Sequence, residues 1–162
     1  MSGIFGCWNL DDSLLDVDTF KTCLERISPA RLRPSVSWHN GSVALGRKIN
    51  PHSGPEDWSD ICARNVACVF DGRLDNRAEL LAMARDDSLD SSASDCDLVR
   101  AAYGAFGDDF VDRLRGDFTC ALFDLARKRL IVARDRLGVR PLCFAEANNT
   151  FLFASEAKAL LA

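Results

Sequence analysis

The chain has 162 residues, 48% of them apolar, enough for one domain with a real core and too few for two comfortable ones. A formal net charge of −4 supplies no basic field for a phosphate backbone, which excludes nucleic acid as the expected partner. No apolar run approaches the roughly 18 residues that cross a bilayer and no basic, then apolar, leader opens the chain, so the expectation is a cytoplasmic protein with no membrane partner.

Gly3 to Trp8 is short and apolar and is followed by the turn residues Asn9 to Asp12, which predicts a buried strand at the N-terminus. From Asp18 the apolar positions Phe20, Leu24 and Ile27 recur at helical spacing, with Val17 as a staple before the cap and Pro29 closing the segment. Asn40-Gly41 is a hairpin turn leading into a strand over Ser42 to Gly46, and Asn50 to Asp60 reads as a polar surface loop. Val66 to Phe70 is the clearest buried strand. It runs through Asp71-Gly72 toward a helix that Asn76 caps through Glu79 and that ends near Arg85.

Asp86 to Ser94 is a loop rich in aspartate and serine, and Ser94 caps a helix reaching Tyr103. A further helix spans Asp108 to Arg115, with Phe110, Val111 and Leu114 as its apolar face and Gly116 as its stop. The runs 118–123, 130–133, 142–145 and 151–154 then follow in the manner of an antiparallel meander, with Asn148-Asn149 turning the last hairpin. Phe118, Leu122, Phe123, Ile131 and Phe153 are the predicted core of this half. Strands in two groups separated by helices predict an α+β layered fold.

Seven cysteines, an odd number with no C-x-x-C spacing, predict no disulfide framework; Cys7, Cys120 and Cys143 lie in apolar runs and are expected to pack as small hydrophobes. The two histidines, His39 and His52, sit in turn-rich surroundings and are read as loop residues, which leaves little for a histidine triad or a zinc site. There is no phosphate-binding glycine loop. Ser2 carries the one suggestive chemistry. If Met1 is removed, its hydroxyl and the free α-amine sit on one carbon, a nucleophile beside a base that is about half neutral near pH 8.

The start Gly3-Ile4-Phe5-Gly6, the strand end Phe70-Asp71-Gly72 and the long run from Leu114 through Ala133-Arg134-Asp135-Arg136-Leu137-Gly138-Val139-Arg140-Pro141-Leu142 to Phe153-Ala154-Ser155-Glu156 carry a resemblance. They resemble the N-terminal class II glutamine amidotransferase domain of the asparagine synthetase family. That resemblance implies the N-terminal nucleophile hydrolase fold, a four-layer αββα sandwich with two antiparallel sheets face to face. It also implies that residues 1–162 are a glutamine amidotransferase type 2-like domain, and that an ATP-dependent synthetase domain would follow where this chain stops.

Carried across position by position, the family's pocket is altered. The cysteine nucleophile is replaced by Ser2, and the asparagine of the oxyanion hole by Asp71, while Gly72 keeps its N–H. A carboxylate has no donor, and one lost donor costs roughly 3 kcal/mol of transition-state stabilisation. The family's glutamate becomes Arg73, which at i+2 from Asp71 on a strand is expected to neutralise it. The arginine that grips the substrate carboxylate becomes Ile49; Arg47 is a substitute displaced by two residues, about 6 to 7 Å along a strand. Asp95 matches the aspartate used for the substrate amine.

Three readings stay open at this level. One is a domain without glutaminase activity that supports or gates an ATP-dependent amide-forming partner, in the manner of the family's β-lactam synthetases and lasso-peptide cyclases. The second is a Ser2-nucleophile glutaminase or amidase supplying ammonia for asparagine synthesis. The third is a module that binds a small metabolite. On the first, no cofactor is expected in this domain, ATP and Mg²⁺ belong to the synthetase domain, and the partner is that C-terminal domain or a separate synthetase subunit, with a homodimer also allowed. An exposed apolar face is expected around Arg134 to Leu142 and at Leu160 and Leu161.

Overall fold

Side-chain alternation along the strands sorts the apolar residues into three buried layers, and those layers define the architecture. The computed structural model describes residues 3–27, 35–49, 61–84 and 88–161. In chain order the elements are β1 (Gly3–Asn9), α1 (Val17–Glu25), β2 (Ser35–Asn40), β3 (Val43–Lys48), β4 (Cys62–Ala63), β5 (Val66–Leu74), α2 (Arg77–Ala84) and α3 (Asp95–Phe106). A 3₁₀ helix at Gly107–Arg113 leads to β6 (Gly116–Asp124), β7 (Arg129–Arg134), β8 (Cys143–Ala147) and β9 (Thr150–Ala154), with a last 3₁₀ turn at Ala157–Leu161.

The strands form two antiparallel sheets, one in the order β2-β3-β1-β9-β8 and the other β4-β5-β6-β7. Ile4, Leu45, Val69, Ala121, Phe123 and Phe153 fill the space between them. Phe5, Phe20, Leu24 and Ile27 pack α1 on the outer face of the first sheet, and Phe70, Leu98, Val99, Phe110 and Leu122 pack the other helices on the outer face of the second. The expected αββα sandwich is therefore present. Gly6 illustrates how tightly the inner layer is closed, because a Cβ there would come within 2.3 Å of the Phe153 ring.

Several local expectations are corrected. The cap of α1 is Asp16, whose carboxylate accepts from the Asp18 and Thr19 amides, so the cap lies two residues before Asp18 and the helix begins at Val17. Asn76 meets Glu79 side chain to side chain, its Nδ2 donating to Glu79 Oε2 at 3.2 Å, and it also donates to the Arg113 carbonyl and accepts from the Arg115 amide, tying α2 to the entry of β6. Ser94 and Asp97 do form a capping box on α3. The predicted helix 108–115 is a 3₁₀ segment, and Gly116, at φ +142°, opens β6 instead of stopping a helix. The last four strands are not one meander. β6 and β7 belong to one sheet and β8 and β9 to the other, so the chain crosses the sandwich between Arg134 and Cys143.

His39 lies in β2 opposite Ala44, and Cys143 and Ile131 are only partly buried because β8 and β7 are edge strands. Pro29, the loop 50–60 with His52, Arg85 and Asp86 lie outside the described residues.

Candidate functional site

The polar end of the inter-sheet layer is built from β3, β5, β6 and the crossing segment. Val43 and Leu45 face the inner layer, which puts Arg47 on the same face; Lys48 faces α1, where its ammonium pairs with Glu25. Ala67 and Val69 likewise place Asp71 inward, opposite Thr119 of β6. Asp71 is 5% exposed and Thr119 is fully buried with its hydroxyl unpartnered. The strand start is pinned by the Ile4 amide, which donates to Ser155 Oγ at 2.9 Å. Ser2 lies outside the described residues.

The crossing segment is organised by Asp135. Its carboxylate accepts from the Val139 amide at 2.9 Å and the Arg140 amide at 3.0 Å, and its own amide donates to the Phe118 carbonyl at 2.8 Å. Burial opposes ionisation there, but the amides of Arg140, Val139, Leu137 and Gly138 outweigh it and hold the carboxyl below the ordinary aspartate range. The turn so formed aims Arg140 at the strand end, with Nη1 3.7 Å from Asp71 Oδ2.

The sequence-derived site residues separate in space and in pairing. Arg73 does not neutralise Asp71; it is exposed and bonds Asp75 at 2.6 Å, with Asp117 at 4.0 Å. Asp95 is ion-paired with Arg77. Ile49, at the clamp position, is buried and offers no charge. Arg47 is only 6% exposed; its Nη1 lies 4.0 Å from Cys96 Sγ, and its Nε and Nη2 have no partner. Gly72 keeps a backbone that a side chain resists: at φ +145°, a Cβ would come within 2.1 Å of the Asp117 carbonyl oxygen.

Four residues escaped the sequence reading. Thr119 sits in an apolar run and Cys96 between two aspartates of a helix start, neither of which gives a functional signal for these residues, and Arg140 becomes relevant only after the chain crosses between sheets. Asp135 was legible in principle, as an aspartate three residues before a glycine in a turn. Among the described residues no group of three or more His, Cys, Asp or Glu side chains is arranged to hold a metal. A cavity of about 1350 Å³ opens elsewhere, beside α2 and α3, and none of Arg47, Asp71, Thr119 or Arg140 lines it.

Two face-to-face antiparallel sheets between helical layers define the N-terminal nucleophile hydrolase architecture. Its likeness to glutamine phosphoribosylpyrophosphate amidotransferase from Bacillus subtilis has a TM-score of 0.75 and covers 98% of this chain and 42% of that one, at 17% identity, which is likeness of fold alone. The chain belongs to the glutamine amidotransferase domain family, whose model, described as "Glutamine amidotransferase domain", matches residues 49–162.

Its relatives include asparagine synthetases. It is 35% identical over 113 residues to asparagine synthetase [glutamine-hydrolyzing] 2 of Oryza sativa (69% of this chain, 19% of that protein). It is 38% identical over 96 residues to asparagine synthetase [glutamine-hydrolyzing] 3 of Bacillus subtilis (58% and 16%). It is also 36% identical over 97 residues to amidase chry2 of Gibberella zeae (60% and 14%). The matches span no more than 19% of these relatives. No helix among the described residues is long and apolar enough to cross a membrane.

Proposed function

We propose that this glutamine amidotransferase domain lacks glutaminase activity and serves to support or gate an ATP-dependent amide-forming synthetase partner. The observation that carries the reading is Asp71. At the position where the family places a neutral amide donor stands a buried carboxylate ion-paired with Arg140, and a carboxylate accepts without donating. The rest of the pocket agrees, since Ile49 offers no clamp for a substrate carboxylate and Asp95 is already paired with Arg77. A growing oxyanion would meet negative charge where the family supplies a hydrogen bond.

ATP and Mg²⁺ are assigned to the partner, as a C-terminal domain or a separate subunit, and β-lactam synthetases and lasso-peptide cyclases remain the model for such an arrangement. Support for a partner comes from the exposed apolar side chains Leu137, Val139, Phe144 and Leu161, of which Leu137 is 86% and Phe144 73% exposed. Of the six large apolar side chains exposed among the described residues, Leu137, Val139 and Leu161 fall on the crossing segment and the C-terminal turn, Phe144 on the edge strand β8, and Leu10 and Leu14 between β1 and α1. Leu160 is instead partly buried against α1.

The test is ammonia release from glutamine by the purified protein, measured with a coupled assay. No release above background is expected, and turnover comparable to an active relative overturns the proposal. The relative named as an amidase favours one alternative, a Ser2-nucleophile amidase. A covalent adduct on Ser2 after exposure to an electrophilic glutamine analogue, seen by mass spectrometry, is the result that selects it.

A further inference from the structure

Neighbouring cations on β3 are compensated very differently. Lys48 has Glu25, whereas Arg47, among the described residues, meets a thiol, Cys96 Sγ, 4.0 Å from Nη1, with Nε and Nη2 unpartnered and 6% of the residue exposed. Guanidinium does not deprotonate in proteins, so a buried arginine keeps its charge and needs an anion nearby. Among the described residues the ion pairs of Asp71, Asp95 and Asp97 are with Arg140, Arg77 and Arg100. The pair lies beside β5, whose partner β4 covers only Val66 and Ala67, so the remaining β5 edge is without a described strand between β3 and α3.

We propose that Cys96 is held as a thiolate, the counter-ion of the buried Arg47 guanidinium, and that this pair occupies the end of the inter-sheet layer in place of an external carboxylate. The groups facing Cys96 are Arg47 from β3, Arg100 and Asp97 from its own helix, Cys68 from β5 and Cys120 from β6. The hydrogen bond with Cys68, followed by the charges of Arg47 and Arg100, lowers the Cys96 pKa against burial and against Asp97, while Cys68 and Cys120 are raised.

The competing state is a neutral thiol donating to the Cys68 carbonyl oxygen, 3.6 Å away, which leaves Arg47 uncompensated. Ionising a thiol near neutral pH costs less than stranding a buried cation, so the thiolate prevails. The inference concerns charge state and stands whether or not the domain hydrolyses glutamine. Arg47 is then a self-neutralised group and not a waiting substrate clamp.

The test is ¹³Cβ-cysteine NMR of the full chain, with Cys96 assigned through the backbone of the wild-type protein, between pH 5.5 and 9.5. The expected result is a Cys96 Cβ resonance in the thiolate range at pH 7 that titrates below the ordinary thiol value. In Arg47→Met the resonance should be protonated at pH 7 and titrate at or above that value. Thiolate absorbance at 240 nm, lower by one thiolate in Cys96→Ser at pH 7, gives the same answer by a second route. A Cys96 resonance that remains in the thiol range through pH 8 in the wild type, or that titrates identically in Arg47→Met, overturns the proposal.

Discussion

The turn from Asp135 to Arg140 and the strand end from Asp71 to Arg73 meet at a single ion pair, yet they are held in opposite ways. In the turn one buried carboxylate gathers backbone amides, so its shape depends on one side chain and on main-chain groups that every residue supplies. At the strand end each side chain is taken by a different neighbour, Asp71 by Arg140 and Arg73 by Asp75. The turn thus rests on main-chain groups, and the strand end on the identity of individual side chains. A scaffold built from main-chain hydrogen bonds tolerates new side chains, whereas an oxyanion hole depends on one donor type at one place.

The comparison is broken most directly at Asp135. Asp135→Ala leaves at least two part-buried amides without their acceptor and should cost about 2 to 4 kcal/mol in urea unfolding, whereas Asp71→Asn should cost under about 1 kcal/mol because Arg140 is partly exposed. Equal costs would mean that the two regions are not built differently. The packing beneath them gives a second contrast. Leu122→Ala, in the fully buried centre of β6, should cost about 3 kcal/mol, and Ile131→Ala, partly buried on edge strand β7, about 2 kcal/mol. A cost under about 1 kcal/mol for Ile131→Ala would place that strand elsewhere.

Acid sharpens the same point. Asp135 and Asp124 both have folded-state pKa values below the ordinary carboxylate value; for Asp124, burial is outweighed by bonds from the Arg127 amide, the Tyr103 hydroxyl and the Ala126 amide. A depressed carboxyl contributes its full stabilisation above the unfolded pKa near 3.9 and loses it as pH falls through the folded value. Thermal scans should therefore show a steep fall in Tm below about pH 4 that Asp135→Asn flattens; an unchanged acid limb in that variant would contradict the role given to Asp135. The smallest effect expected is on activity. Ser2→Cys should give no gain in ammonia release, because Asp71 and Ile49 still occupy the pocket, and substantial turnover in that single variant would show that they are harmless.

The sequence alone determined the layers. The continuous apolar runs Val66 to Phe70 and 118–123, the Ser94 cap and the Asn40-Gly41 turn are local signals, and each appears in the structure as read. It also carried the family resemblance, because a run of motif residues is legible without coordinates. Partnership was decided only in three dimensions. Arg73 chose Asp75 over Asp71, Arg77 took Asp95, and the crossing between Arg134 and Cys143 brought Arg140 to a strand more than 60 residues earlier. Arg47 looked like a displaced clamp in the sequence and is instead a buried cation beside a thiol. Local patterns fix which face a residue occupies. Which charge it meets there depends on how the two sheets stack, and no local pattern encodes that stacking.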